Sequence, residues 1–534
     1  MIRLFSFALL FLTFQVTWGS DPYPRNYNID IQHYRFSIEV NDSTNIIEGS
    51  SEITILFRNS LDQFDLDLVA KSNDGAGMTV RSISREGKAI DFSQAGERLS
   101  IKPGKVNQGD KVTFLINYYG QPRDGLIISK NMFGDRTIFG DNWPNRAHHW
   151  LPCIDHPYDK ATCEFIVTAP GYYQTIANGI LVEKKELPKG RTLAHWKEDK
   201  ALPTKVMVIG VARFATSSAG MVDGVPIETW VYPQNREAGF VDYKVATQIT
   251  DYFTDKLGAF PFEKLANVQS TTRYGGMENA SNIFYFENSV TGKNERENLI
   301  AHEVAHQWFG DSASELDWYH VWLSEGFATY FTSLYLEHMY GKERLAQHMK
   351  QSRDEVITYF KNNPSAVIDT TFSDINRVLN TNSYEKGGWF LHMLRKKVGD
   401  ETFWKGINNY YQLYQYGNAM TDDFRKVMEE VSKENLKEFF DQWLRRPGHP
   451  VLSANWTYNT RKKLLNISVV QTQEDVFNTA LEIQIETSDG AKETITVPLD
   501  QRAVSMAKPL AKRPKKLTLD PHIWLLFEGE IEAK

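Results

Sequence analysis

The sequence predicts a multidomain α+β protein, with an N-terminal antiparallel β domain, a mainly helical middle domain and a small C-terminal β sandwich. Three observations carry that prediction. Apolar residues alternate with a period of two from about Tyr27 to Pro233, helical spacing takes over near Gln234, and alternation returns after Arg446-Pro-Gly-His-Pro450. At 534 residues the chain is too long for one hydrophobic core, and about three domains are expected. Its 41% hydrophobic residues and mixed-sign charge fit a soluble globular protein.

The opening residues 1–19 read as a signal peptide. Arg3 supplies a positive start, Leu4 to Val16 form a mostly apolar run, and the small Thr17 and Gly19 precede a cut near Ser20 or Asp21. The run is too short to serve as a stable membrane anchor, so an exported protein, periplasmic or extracellular, is expected. Residues 20–234 form the β domain: Tyr34, Phe36, Ile38 and Val40 alternate, as do Ile53, Ile55 and Phe57, then Phe64, Leu66 and Leu68. Residues 235–447 carry the helical patterns, including Ala238 to Leu257, Arg296 to Phe309, Glu325 to Tyr340, Tyr384 to Val398 and Thr421 to Leu444. Residues 448–534 return to strands through Leu465, Ile467 and Val469, then Leu481, Ile483 and Ile485.

A net charge of −7 leaves no basic footprint for nucleic acid and argues against a polyanionic substrate. The two cysteines, Cys153 and Cys163, are compatible with a disulfide or with buried free thiols.

His302-Glu303-Val304-Ala305-His306, followed after eighteen residues by Glu325, is the most informative string in the chain. On a helix, residues four apart share a face, so His302 and His306 can hold one metal ion. Glu303 lies one step round, aimed at a water on that metal and suited to take its proton. Glu325 opens a second helical pattern and offers a third ligand. Two histidines and a glutamate describe a catalytic zinc site with an open position, one Zn2+ per chain. Just over twenty residues earlier, Gly275-Gly276-Met277-Glu278-Asn279 combines glycines that admit a close backbone with a carboxylate able to hold an ammonium group.

These motifs, together with Trp150-Leu-Pro-Cys-Ile-Asp-His-Pro-Tyr-Asp-Lys-Ala161 and Tyr384-Glu-Lys-Gly387, resemble in order the gluzincin zinc aminopeptidases of the aminopeptidase N and leukotriene hydrolase type. The resemblance covers nearly the whole chain after the leader. It implies a saddle-like β domain, a thermolysin-like catalytic domain and removal of single residues from peptides with a free N-terminus. It makes His302, His306 and Glu325 the zinc ligands, Glu303 the general base and Glu278 the amine anchor. Gly275, Gly276 and Met277 become substrate contacts, Tyr384 stabilises the oxyanion, and Asp141 is a second acidic amine contact.

Ser324 departs from the Asn common before the ligand Glu, and no long helical array follows the second β domain. Other readings of the same metal motif are an endopeptidase, an inert binding module or a lipid epoxide hydrolase. Glu278 argues against the first and the complete ligand and base set against the second. Asn279-Ala-Ser is a sequon inside the expected site, where a glycan would be intolerable, which favours a bacterial exported protein.

Overall fold

The computed structural model describes residues 20–372 and 374–534, and the expected signal peptide lies outside the described residues. Strand Ile47–Phe57 shows how the first domain forms. Every second side chain is buried, with Ile53, Ile55 and Phe57 fully enclosed, because successive residues of a strand face opposite sides of its sheet. It belongs to an eight-stranded sheet that runs Ile180–Leu187, Arg191–Leu202, Ala161–Pro170, Ile29–Glu39, Ile47–Phe57, Lys111–Gln121, Gly77–Arg85, Lys88–Ala89. Its neighbours are antiparallel except at one junction, where Ile29–Glu39 lies parallel to Ala161–Pro170. Cys153 and Cys163 are both buried free thiols.

Strands Ala215–Val222 and Val225–Val231 do not join these sheets. Val225–Val231 pairs in parallel with Leu265–Ser270, which places both strands in the five-stranded sheet of the middle domain. A boundary at 234/235 therefore falls too late by hydrogen bonding. Alternation identifies a strand but not the sheet it enters, and here the partner lies more than thirty residues downstream. The far end of this sheet is the two-residue strand Gly276–Met277, antiparallel to Asn282–Phe286.

The helix Trp322–Tyr340 is buried on nearly every side, including Trp322, Phe327, Tyr330, Phe331 and Tyr335. A helix apolar all round belongs in the centre of a domain. It passes the helix Gly387–Val398 so closely that a Cβ on Gly326 would lie 2.9 Å from Gly387 Cα. Only glycine permits that approach.

The C-terminal region forms a four-stranded and a three-stranded sheet, burying Leu465, Ile467 and Val469 on one and Leu481, Ile483 and Ile485 on the other. Trp524 stacks on His392 of the middle domain at 4.3 Å, and Arg353 pairs with Asp520 at 3.2 Å. At the opposite end of the chain, Asp21 is buried against the turn that leads into Trp322–Tyr340. Its backbone N–H donates to Asp317 Oδ2 (3.1 Å), its carboxylate accepts from Trp318 N (3.0 Å), and Arg25 bridges both carboxylates. Among the described residues no helix is long and apolar enough to cross a membrane.

Candidate metal centre and substrate cleft

The helix Glu297–His306 opens with Glu297, whose carboxylate accepts from Tyr335 (2.9 Å) and Tyr340 (2.7 Å) and so ties its start to the central helix. A carboxylate in the first turn also favours the helix dipole. One turn apart, His302 and His306 bring their Nε2 atoms to 3.0 Å of each other. Glu325 Oε2 lies 3.5 Å from the first and 3.2 Å from the second. Two nitrogens that bind one zinc at about 2.0–2.1 Å sit roughly 3.0–3.4 Å apart, so the three donors converge as a His, His, Glu set should. His306 Nδ1 lies 3.1 Å from both Phe309 O and Ser324 Oγ. An Nδ1–H donated there leaves the Nε2 lone pair facing the metal position.

The electrostatics also fit a cation. Burial acts to lower the His306 pKa, but the Glu325, Glu278 and Glu303 carboxylates overcome it and push the imidazole up to about 10. Burial acts to raise Glu325, yet His306 and His302 hold its carboxyl well below the usual range. Burial pushes Glu303 and Glu278 upward, with His306 opposing and the neighbouring carboxylates adding to the rise. Three carboxyl groups buried against two imidazoles form a donor set whose costly burial a divalent ion would relieve.

A cavity of about 250 Å³ lies over this centre. Gly275, Gly276 and Met277 form one wall, and the Gly276–Met277 strand, last in its sheet, leaves a free edge. Gly276 is confined by Glu303, since an added Cβ would lie 2.2 Å from Oε1. Glu278 is 4% exposed, and its Oε1 has no hydrogen-bond partner among the described residues. Its own backbone carbonyl accepts from Gln307 Nε2 (2.7 Å), which fixes the segment to the end of the metal helix. Tyr384 occupies a wide helical turn, Asn382–Lys386, with its ring parallel to that of His302 at 5.9 Å. Burial, followed by the nearby Glu325, pushes its phenol well above the ordinary value, so it remains a donor.

Nine of the ten residues expected from the sequence thus line the cleft together. Asp141 does not. It is fully buried, paired with Arg146 at 2.7 Å and accepting from Arg273 N at 3.2 Å, and it stays outside the cavity. Its carboxylate is already satisfied, which removes the reason for a second amine contact. Two positions on, Trp143 lines the cleft instead, as do Tyr274, Leu299 and Leu379, none of which carries a sequence signal of its own.

Residues 30–206 match the peptidase M1 N-terminal domain and residues 241–443 the peptidase family M1 domain. The chain is 29% identical to human glutamyl aminopeptidase over 350 residues, which is 61% of this chain and 36% of that one. It is 27% identical over 407 residues to probable aminopeptidase 2 of Sulfurisphaera tokodaii, covering 71% and 50%. The chain therefore spans half or less of the length of these curated relatives. In fold it is similar to the M1 zinc metallopeptidase of Deinococcus radiodurans, crystallised as a mutant, with a TM-score of 0.67 and 22% identity over 78% of this chain and 94% of that one. A β-rich first domain and a zinc-type centre in a helical second domain thus coincide, in order, with two matched domains of one family, and the chain belongs to the M1 peptidases.

Proposed function

We propose that this chain is a zinc-dependent aminopeptidase that hydrolyses the first peptide bond of substrates with a free N-terminus. One observation carries the reading: the buried, unpartnered Glu278 Oε1 beside the metal ligands. An orphaned buried carboxylate oxygen is costly unless a donor completes it, and a substrate ammonium group is such a donor. His302, His306 and Glu325 would hold a zinc ion, which when bound would supply Lewis-acid polarisation and lower the pKa of water.

The chain's own residues do the rest. Glu278 takes the ammonium and thereby sets the first peptide bond over the ligand set. The free edge at Gly275, Gly276 and Met277 hydrogen-bonds the substrate backbone. Glu303 accepts a proton from the attacking water and delivers it to the leaving amine. Tyr384 O–H donates to the carbonyl oxygen as negative charge develops there. The names of the relatives, aminopeptidases in each case, support the same reading.

A peptide and its N-acetylated twin test it. The free peptide should lose residues one at a time while the twin resists, and Glu278→Ala should slow the first and narrow the gap. Internal cuts at equal rates in both would establish an endopeptidase instead. The positive start and apolar run of residues 1–19 support export to the periplasm or the medium, and sequencing the mature N-terminus after fractionation checks this.

A further inference from the structure

Apart from the two glycines, the ligand set, Glu278, Glu303 and Tyr384, the cleft is lined by Trp143, Tyr274, Met277, Leu299 and Leu379. Among the described residues no lysine or arginine lines the cleft, and its formal charges are the carboxylates of Glu278, Glu303 and Glu325. Two cations stand behind the aromatic wall. Lys205 Nζ lies 5.7 Å from the Trp143 ring centre and is paired with Glu315 at 2.6 Å. Arg146 lies 5.6 Å from the Tyr274 ring centre and is paired with Asp141.

From this arrangement we infer that the cleft selects peptides whose first side chain is uncharged and apolar, and that Trp143 sets the preference. The inference rests on the aminopeptidase reading and names the substrate class for the same site. An acidic first residue would leave water to join three carboxylates, with both nearby cations already matched. A basic one would shed its water against the same apolar wall, with the cleft carboxylates already engaged by the ion, the substrate ammonium and the attacking water. An aliphatic side chain loses nothing on either count and gains apolar contact. Size sets a separate limit on the bulk of the first residue, since about 250 Å³ falls below the usual range for ligand pockets. Trp143 is held in place, 1% exposed and edge-on to Trp318 at 5.2 Å, so the pocket does not deepen by a swing of the indole.

The test is kcat/KM on leucyl, glutamyl and lysyl 4-nitroanilides for the zinc-loaded wild type, Trp143→Arg and Trp143→Phe. The leucyl amide should exceed each charged amide by about a hundredfold. Trp143→Arg should raise the glutamyl-to-leucyl ratio at least about tenfold, and Trp143→Phe, the milder change, should keep the order while favouring bulkier first residues such as phenylalanine. Glutamyl or lysyl rates within a few-fold of leucyl in the wild type overturn the inference, as do ratios unmoved in a folded Trp143→Phe and Trp143→Arg. Cleavage of all three amides at similar rates sinks this inference alone. Failure on every amide, with internal cutting of an acetylated peptide, sinks the aminopeptidase reading and this inference with it.

Discussion

Gly276 and Glu303 occupy a shared space: the Cβ that any other residue would place at position 276 falls 2.2 Å from the Glu303 Oε1 atom. The glycine thus keeps open the position in which the carboxylate faces the metal centre. A methyl group there would force Glu303 aside without touching the ligands. Gly276→Ala should lower kcat by roughly ten- to a hundredfold, as expected when a proton-transfer group is misplaced by about 1 Å. Zinc content, measured by elemental analysis, should stay at the wild-type level. An undiminished kcat would show that Glu303 has room to yield.

Ser324 and the Phe309 carbonyl both meet His306 Nδ1, each at 3.1 Å. Ser324→Ala removes one of the two, so the ring should lose part of its orientation. Zinc affinity, read by competition with a chelator, should fall about tenfold, the lower end for loss of a group behind a metal ligand. His306→Ala should lose the ion altogether. Unchanged affinity in Ser324→Ala would assign the orienting role to Phe309 alone.

Tyr384 lies beside His302 with its phenol protonated across the physiological range. Tyr384→Phe keeps the ring and removes the donor. The turnover number should fall about a hundredfold with KM nearly unchanged, because the bond strengthens only as charge develops on the oxygen. A matching fall in zinc content would instead mean that the tyrosine supports the metal site.

Glu198 gives a pH prediction away from the cleft. Burial, and then the adjacent Glu263 carboxylate, push its pKa up to about 8 from an ordinary 4.5. Below pH 4.5 the group is protonated in both folded and unfolded chains and has no effect. Between 4.5 and about 8 the unfolded chain ionises while the folded one retains its proton, so stability declines as pH rises through that window. Glu198→Gln keeps the acceptor for Lys200 N and removes the titration. By urea unfolding the variant should match the wild type near pH 4 and exceed it near pH 8 by up to about 4 kcal/mol. Equal differences at both pH values would rule out the linkage.

The metal ligands were legible in the sequence because helical periodicity is local: His302 and His306 are one turn apart, and Glu325 begins its own helix. Gly275 and Gly276 announced a close backbone, but their fit against Glu303 depends on a sheet edge meeting a helix. Asp141 and Trp143 show where legibility ends. They lie at the end of strand Arg136–Gly140, where regular alternation stops, and a turn decides which of them reaches the cleft. The Arg146 pairing that closes off Asp141 has no periodic signature either. Strands Ala215–Val222 and Val225–Val231 were recognisable as strands, yet their membership of the second domain depends on Leu265–Ser270.

The clasp at Asp21 bears on how the molecule can be taken apart. Asp317 and Trp318 form the turn that leads into the helix carrying Glu325; Asp317 accepts from the Asp21 N–H and from Arg25, and the Trp318 N–H donates to the Asp21 carboxylate, nearly three hundred residues earlier. A fragment excised from residue 235 onward would carry every metal ligand yet leave Trp318 N–H without its acceptor and Asp317 without its arginine. The helical half is therefore not a freestanding cassette: a zinc-binding fragment borrowed from this protein would need its first few residues, or substitutes for them, to hold the ligand helix in place.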